Sequence, residues 1–572
     1  MCYKYLPVLL ILMCTFTSMA AQGNQEDGTI TLNGSIQSDM LLPQEDAAIN
    51  TGSYAHPFLS NNYITLALNS RYAEAGARLE LKARPLPGFE NEFAGNGLPY
   101  VYVSGKFKHI QFTLGNIYDQ FGNGFVFRSY EERSLGVDNS LRGARIIVKP
   151  YKGITFKALG GMQRNYFNYT TDNAFGFDYS QGIVWGTDLE LNVEAWCPKM
   201  QENNWYLMLG ASFVSKYQPN EEIFRTPMQT LNLPENVAAG NFRIRFQKDA
   251  WSVLAEYATK ANDPSADNEY IYKRGSAAML LGSYSTRGMS ILLQAKRSDN
   301  MTYRSVRTQR GIGAFINHLP AFSMTHTYAL AALHPYATQP DGEWAFQGSM
   351  VYTFKRKTKM GGKYGTTFKL NATYIRGIKK NYVNDLDGNA YGTANYNIKG
   401  SDGYTSPFFG FGDQTYYTDI NLEFHKKLTK QWSLSALYMF QNYNQTVVEG
   451  EAHNGDLVKS HIVVADVKYN TSKNVTMRAE LQGLFSKQDY GTWFYGLYEL
   501  SLFKSLMLSA SDMYNAGETN LHYYMVAAAY VWRAHRLQLA FGRTRAGFNC
   551  SGGVCRFVPA SKGINISYNV NF

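Results

Sequence analysis

From Thr29 onward, apolar and polar residues alternate in short segments separated by turn residues. Between Val475 and Gln482, the side chains of Met477, Ala479 and Leu481 share one face, and Thr476, Arg478, Glu480 and Gln482 share the other. A period of two is that of a β-strand. The stretch Thr418 to His425 repeats the pattern, and Trp432 to Tyr438 follows it after a short basic turn. Leu521 to Ala527 and Leu537 to Arg543 form another such pair. The polar face carries Arg, Glu and Asp, which a β-sandwich cannot bury unpaired on its inner side. Connections differ in length. Short ones include Lys149 to Gly153, Lys426 to Lys430, Asn470 to Asn474 and Arg533 to His535; long ones include Arg84 to Pro99, Arg164 to Gly182, Lys216 to Glu235, Lys379 to Tyr416 and Arg545 to Lys562. This asymmetry predicts an all-β transmembrane antiparallel β-barrel of about 20 strands, between roughly 16 and 24, with short periplasmic turns and long extracellular loops. The short turns are rich in Lys, so a positive periplasmic rim is expected.

The N-terminus supplies the route to that location. Lys4 precedes an apolar run from Leu6 to Thr15 that ends at the small residues Ser18, Ala20 and Ala21, the pattern of a secretory signal cleaved after Ala20. Residues 1–20 are therefore excluded from the fold, and residues 21–572 are expected to form one outer-membrane barrel domain. Cys14 follows Leu12 and Met13 rather than a small residue, which argues against a lipoprotein anchor. No later window approaches the roughly 18 apolar residues of a spanning helix. Aromatic residues reach 15%, with 42 Tyr and 34 Phe, against 17% charged residues, which suits lipid-facing strands with aromatic girdles. The formal charge is +10, a modest excess for this length. It suits a lumen that favours anions or a rim facing a phosphate-rich leaflet, and an exported protein seldom meets nucleic acid. Outer-membrane lipid and the barrel insertion machinery are the expected partners.

The final segment is the clearest strand. Ile564, Ile566, Tyr568, Val570 and Phe572 alternate with Asn565, Ser567, Asn569 and Asn571, and the last residue is aromatic. This resembles the terminal signal read during insertion of outer-membrane barrels, with Tyr568, Val570 and Phe572 as the assembly signal. Removal of the signal leaves Cys197, Cys550 and Cys555. Cys550 and Cys555 flank a Gly-Gly turn in an oxidising compartment, which predicts a small loop-closing disulfide. A metal pair would need two further ligands. Cys197 is expected to be a packed, unpaired thiol.

Two stretches break the alternation. Gly115 to Gly143 is dense in glycine and in both charge signs, and reads as a segment folded into the lumen; the alternative is a surface loop with weak ion pairs. On the inward reading, Arg128, Glu131, Glu132, Arg133, Asp138 and Arg142 form a charge-paired constriction. The second stretch runs from Asn317 through His326 and His334 to Glu343. Together with Gly552 to Ala560, these blocks resemble a porin-like family of Bacteroidota outer-membrane barrels known only as a domain of unknown function. The resemblance implies location and architecture and transfers no catalytic residue.

Catalytic chemistry is not evident. The ten His residues lie in no motif that selects a Ser or carboxylate partner, so His326 and His334 are expected to be packed or hydrogen-bonded. Asp385 and Asp387 have the spacing of the start of a calcium loop, but the distal Glu is missing and an ordinary Asp/Gly turn explains them. No cofactor is expected. The expected function is a porin-like channel or transport component with a charged constriction, passing small polar or anionic solutes. The alternative is a non-conducting barrel that scaffolds a secretion, surface-assembly or nutrient-uptake complex with partner proteins.

Overall fold

Alternating segments that present lipid-compatible side chains on one face must pair all their backbone groups with one another, because the bilayer interior offers no water to do so. In the computed structural model, which describes residues 30–167, 177–383, 396–471 and 474–572, they do this by closing into a barrel of 24 antiparallel strands. The expected signal at residues 1–20 and the pair Asp385 and Asp387 lie outside the described residues. Neighbours in the chain are neighbours in the barrel throughout. Closure comes from pairing of the first strand, Thr31–Pro43, with the last, Ser561–Asn571, in a register that sets Ile36 opposite Val570. Gly34 and Phe572 complete the seam with two backbone hydrogen bonds of 2.7 and 2.9 Å. A Cβ on Gly34 would lie 2.4 Å from the Phe572 ring, so the missing side chain is what admits the terminal aromatic residue.

The strand number is at the top of the expected range. The glycine- and proline-bearing start of Gly95–Lys106 hides a strand inside what reads as a loop, and the short strands Ile110–Ile117 and Leu141–Val148 flank the irregular segment. Alternation holds as the sequence indicates: Leu481 is 69% exposed on the outside, whereas Glu480 is 3% exposed inside. Leu293, Leu280 and Val526 continue the apolar exterior. At the end bearing the short turns, the exposed Trp205, Trp251, Trp432 and Trp532 form a girdle, reinforced by ring pairs such as Trp251 with Tyr284 (4.6 Å) and Trp432 with Tyr469 (4.3 Å). Indole and phenol rings favour this depth because one edge is apolar and the other is wet. The closed barrel with its apolar belt is an outer-membrane protein.

One short-turn connection differs from expectation. Between Asn192 and Trp205 the chain forms a 3-10 turn and the helix Pro198–Glu202, and Cys197 caps that helix as an exposed free thiol rather than a packed one. The reason is local: Pro198 starts the helix, and the residue before it is held out of the helical conformation at the surface.

Deletion of Phe572 removes both seam hydrogen bonds and the ring seated over Gly34. Quantitative immunoblotting of outer-membrane fractions should show several-fold less protein; normal abundance with normal heat-modifiable migration would refute this.

Candidate functional site: a lumen crossed by two loops

A barrel of this circumference encloses more space than its own inward side chains fill. Two of its long loops occupy that space. The first, residues 118–140, forms two small hairpins, Asp119–Phe121 with Phe127–Ser129 and Glu131–Glu132 with Val137–Asp138. Phe121, Phe125, Val126 and Phe127 are buried against Val184, Val214, Val237 and Leu254 of the wall. The second, residues 300–342, is joined to the first by backbone hydrogen bonds from Arg128 to Ile316 (2.8 Å) and from His318 to Gly124 (2.9 Å). Asn317 adds side-chain donors to the carbonyls of Phe125 (3.0 Å) and Met301 (2.8 Å).

The second loop then reaches another sector of the wall. Leu330 and Leu333 pack with Leu437, Ile462, Val464 and Leu484, and the Leu330 amide donates to Gln482 at 2.8 Å. His326 is 2.7 Å from Asp419, and His334 is 3.1 Å from Asp489. Both histidines are therefore hydrogen-bonded, as expected, and each fastens the crossing segment to a carboxylate. His318, in the same loop, stays neutral at ordinary pH because burial, with Arg128 and Lys296 nearby, pushes it down to about 3.

The charged residues expected at a constriction are brought together only in part. Asp138 receives Arg78 and Arg164 of the wall and the Tyr118 hydroxyl at 3.0 Å. Glu131 lies 2.8 Å from Arg78 and 2.6 Å from Arg133. Glu80, 1% exposed, joins Arg78 (2.9 Å), Lys82 (2.6 Å) and Arg164 (3.0 Å) into the same network. Arg128 instead stacks on Tyr130 at 4.3 Å, and Glu132 turns towards Ser134 (2.7 Å) and Ser551 (3.3 Å). Arg142 departs from the expected set: it begins a strand whose buried Leu141 faces inward, so alternation exposes Arg142 with Ala144 and Ile146.

The sequence reading missed Arg78, Glu80, Lys82 and Arg164. A signal for the first three was present, since Arg78, Glu80 and Lys82 alternate with Leu79 and Leu81 on a single strand. For Asp138, burial raises the carboxyl's proton affinity, but Arg164 and Arg78 outweigh it and hold the group below the ordinary range.

The loop between the last two barrel strands forms a lid above these segments. Gly547–Ser551 pairs with Val554–Val558, and Gly552 and Gly553 turn the chain with φ of 59° and 89°, a conformation that residues with a Cβ rarely adopt. This sets Cys550 opposite Cys555 with Cα atoms 4.1 Å apart, and the two are disulfide-bonded. The Thr338 amide donates to the Gly553 carbonyl at 2.9 Å, tying the lid to the crossing loop. Among the described residues, no group of three or more His, Cys, Asp or Glu side chains could hold a metal ion.

The chain belongs to a family of unknown function, DUF6029, whose model matches residues 2–572. No curated protein matches it. Among solved structures, it is similar to the siderophore receptor PirA from Pseudomonas aeruginosa, at 10% identity over 96% of this chain and 81% of that one, with a TM-score of 0.39. A point mutant of the ferric enterobactin receptor PfeA, also from Pseudomonas aeruginosa, is 9% identical over 96% and 81% of the two chains, with a TM-score of 0.43. OccAB3 from Acinetobacter baumannii is 8% identical over 96% and 99%, with a TM-score of 0.35.

Replacing Asp138 with Asn removes one of the two carboxylates that Arg78 and Arg164 share and leaves Glu80 alone between them, a loss below the roughly 3–5 kcal/mol of a buried pair broken outright. Limited proteolysis should then cut within residues 118–140 while the barrel keeps its heat-modifiable migration. Because the Asp138 pKa is lowered by folding, its contribution is present above the unfolded pKa and fades as pH falls through the folded one. Acidification of the wild type should therefore approach the variant's cleavage pattern, and unchanged cleavage in both cases would refute the anchoring role.

Proposed function

We propose that the protein is a non-conducting, plugged barrel that serves as the outer-membrane scaffold of an uptake or surface-assembly complex. The observation that carries this reading is the path of residues 300–342, which pack against Val237 and Ala258 on one side and against Ile462 and Leu484 on another. A fixed diffusion pore keeps its centre free for solute, whereas here the loop is fastened at both sectors by buried contacts.

The buried ion pairs favour the same reading. Lys296 and Glu343, both 0% exposed, are 2.8 Å apart, and Lys296 also donates to the Pro320 carbonyl at 2.5 Å. Arg304 holds Asp267 at 2.7 Å and stacks on Phe315 at 3.7 Å. Charges that neutralise one another in this way have little field left for a passing ion, so a porin-like role for small anionic solutes would need the loops to move first. Below them, Arg478 with Asp466 and Glu499, and Lys369 with Glu423, leave a half-exposed charged vestibule at the short-turn end, suited to contact with a periplasmic partner.

Planar bilayer recording separates the alternatives. The purified wild type should show no steady conductance, and a variant with Tyr303 to Thr338 replaced by a short Gly-Ser linker should conduct. A steady open-pore current from the wild type would restore the porin-like reading and overturn this one.

A further inference from the structure

A cavity of about 410 Å³ lies between the lid hairpin, the extracellular loop around Leu86 to Phe89 and the lumen face of the seam strands. That volume is within the range of small-molecule sites. Polar residues of the first, second and last barrel strands line it: Gln37, Asn61 and Asn565. Three arginines from two parts of the chain line it, namely Arg133 of the first inward loop and Arg545 and Arg556 of the lid.

These arginines differ in how far neighbouring groups neutralise them, and Arg556 is the least neutralised. Arg556 lies over the Phe89 ring at 3.6 Å, and its Nε and Nη1 atoms are buried with no hydrogen-bond partner among the described residues. Burial outweighs the nearby Glu90 and pushes this guanidinium down to about 10, so it remains charged at neutral pH. Arg545 donates to the backbone carbonyls of Ala546 (2.8 Å) and Leu333 (3.1 Å), with the carboxylates of Asp489 and Glu449 in its neighbourhood. Arg133 stacks on Tyr63 at 4.4 Å, pairs with the Glu131 carboxylate at 2.6 Å and donates to the Gln37 amide oxygen at 2.8 Å. The acid in the wall is already engaged: Asp39 accepts from Gln37 at 2.7 Å and from Ser567 at 2.7 Å.

Buried guanidinium donors are costly to leave unpaired and are matched best by the oxygens of a carboxylate or phosphate. Asparagine and glutamine amides beside them are suited to hydroxyl groups. From this geometry we infer that the cavity is a binding site for a phosphorylated sugar, its phosphate on Arg545 and Arg556 and its hydroxyls on Asn61 and Asn565. The wall consists of lumen-facing residues, so the ligand arrives as a solute from the loop side and not from the bilayer. The inference stands whether or not the barrel conducts.

Isothermal titration of the full-length detergent-solubilised protein with glucose 6-phosphate tests it, with glucose as the uncharged control. The wild type should bind the phosphate ester in the millimolar range or tighter, and glucose at least tenfold more weakly, as loss of a charge-assisted interaction of about 1.4 kcal/mol implies. R556Q and R545Q should each weaken binding roughly tenfold, while R142Q, on the outer face, should bind as the wild type does. Heat-modifiable migration checks that each variant is folded, and R556K, which keeps the charge but loses the planar fork, should fall between the wild type and R556Q. Absence of wild-type binding at millimolar ligand, equal binding of glucose, or undiminished binding by folded R556Q and R545Q would overturn the assignment.

Discussion

Everything in this molecule depends on the requirement that no strand in lipid leave its backbone unpaired. That constraint cannot be met by an open sheet, because each edge would expose a row of N–H and C=O groups to hydrocarbon. The seam between Thr31–Pro43 and Ser561–Asn571 removes the last edge. Closing 24 strands rather than eight leaves a lumen that inward side chains cannot fill. The in-folded loops are thus a consequence of barrel size, and their apolar residues Phe121, Phe125 and Leu330 form cores where a narrower barrel would have had only its own wall.

Filling the space with a mobile chain would be entropically unfavourable without specific attachments. Beside the apolar clusters, the attachments here include buried ion pairs. Removing both charges of an ion pair from water costs several kcal/mol per ion, and the pair repays this only when geometry is good and further hydrogen bonds satisfy what remains. The network of Arg78, Glu80, Asp138 and Arg164 meets that condition with the Tyr118 hydroxyl and the Ser140 amide as additional partners of Asp138. Such a network contributes register more than raw stability, since an apolar patch would tolerate the loop in several positions whereas fixed charges select one. The same logic explains why His326 and His334 meet aspartates rather than apolar wall.

Against this background of paired charge, the region beneath the disulfide-linked lid is different. Arg556 retains two buried donors without acceptors among the described residues, and it rests on an aromatic face rather than on a carboxylate. A cation resting on a ring keeps most of its field, because the quadrupole attracts it without supplying an opposite charge. The molecule therefore separates two uses of arginine: charge that is neutralised to fix a loop, and charge that is left available beside polar amides.

Much of the architecture was legible in the chain, because a period of two is a local property that any strand must display. It marked the barrel, its sidedness, the terminal strand and the inward charge of Arg478 and Glu480, while the turn at Gly552 and Gly553 marked the pairing of Cys550 with Cys555. The break in alternation between Gly115 and Gly143 likewise marked a segment that does not span. The partners of that segment were not legible. Asp138 meets Arg78 and Arg164 only because barrel closure brings strands together that are distant in sequence, and no local pattern encodes that distance. The exposure of Arg142 turned on a single step of strand phase next to Leu141, and that of Cys197 on a helix begun by Pro198. Alternation determined which side chains point into the lumen; tertiary closure alone decided which of them meet.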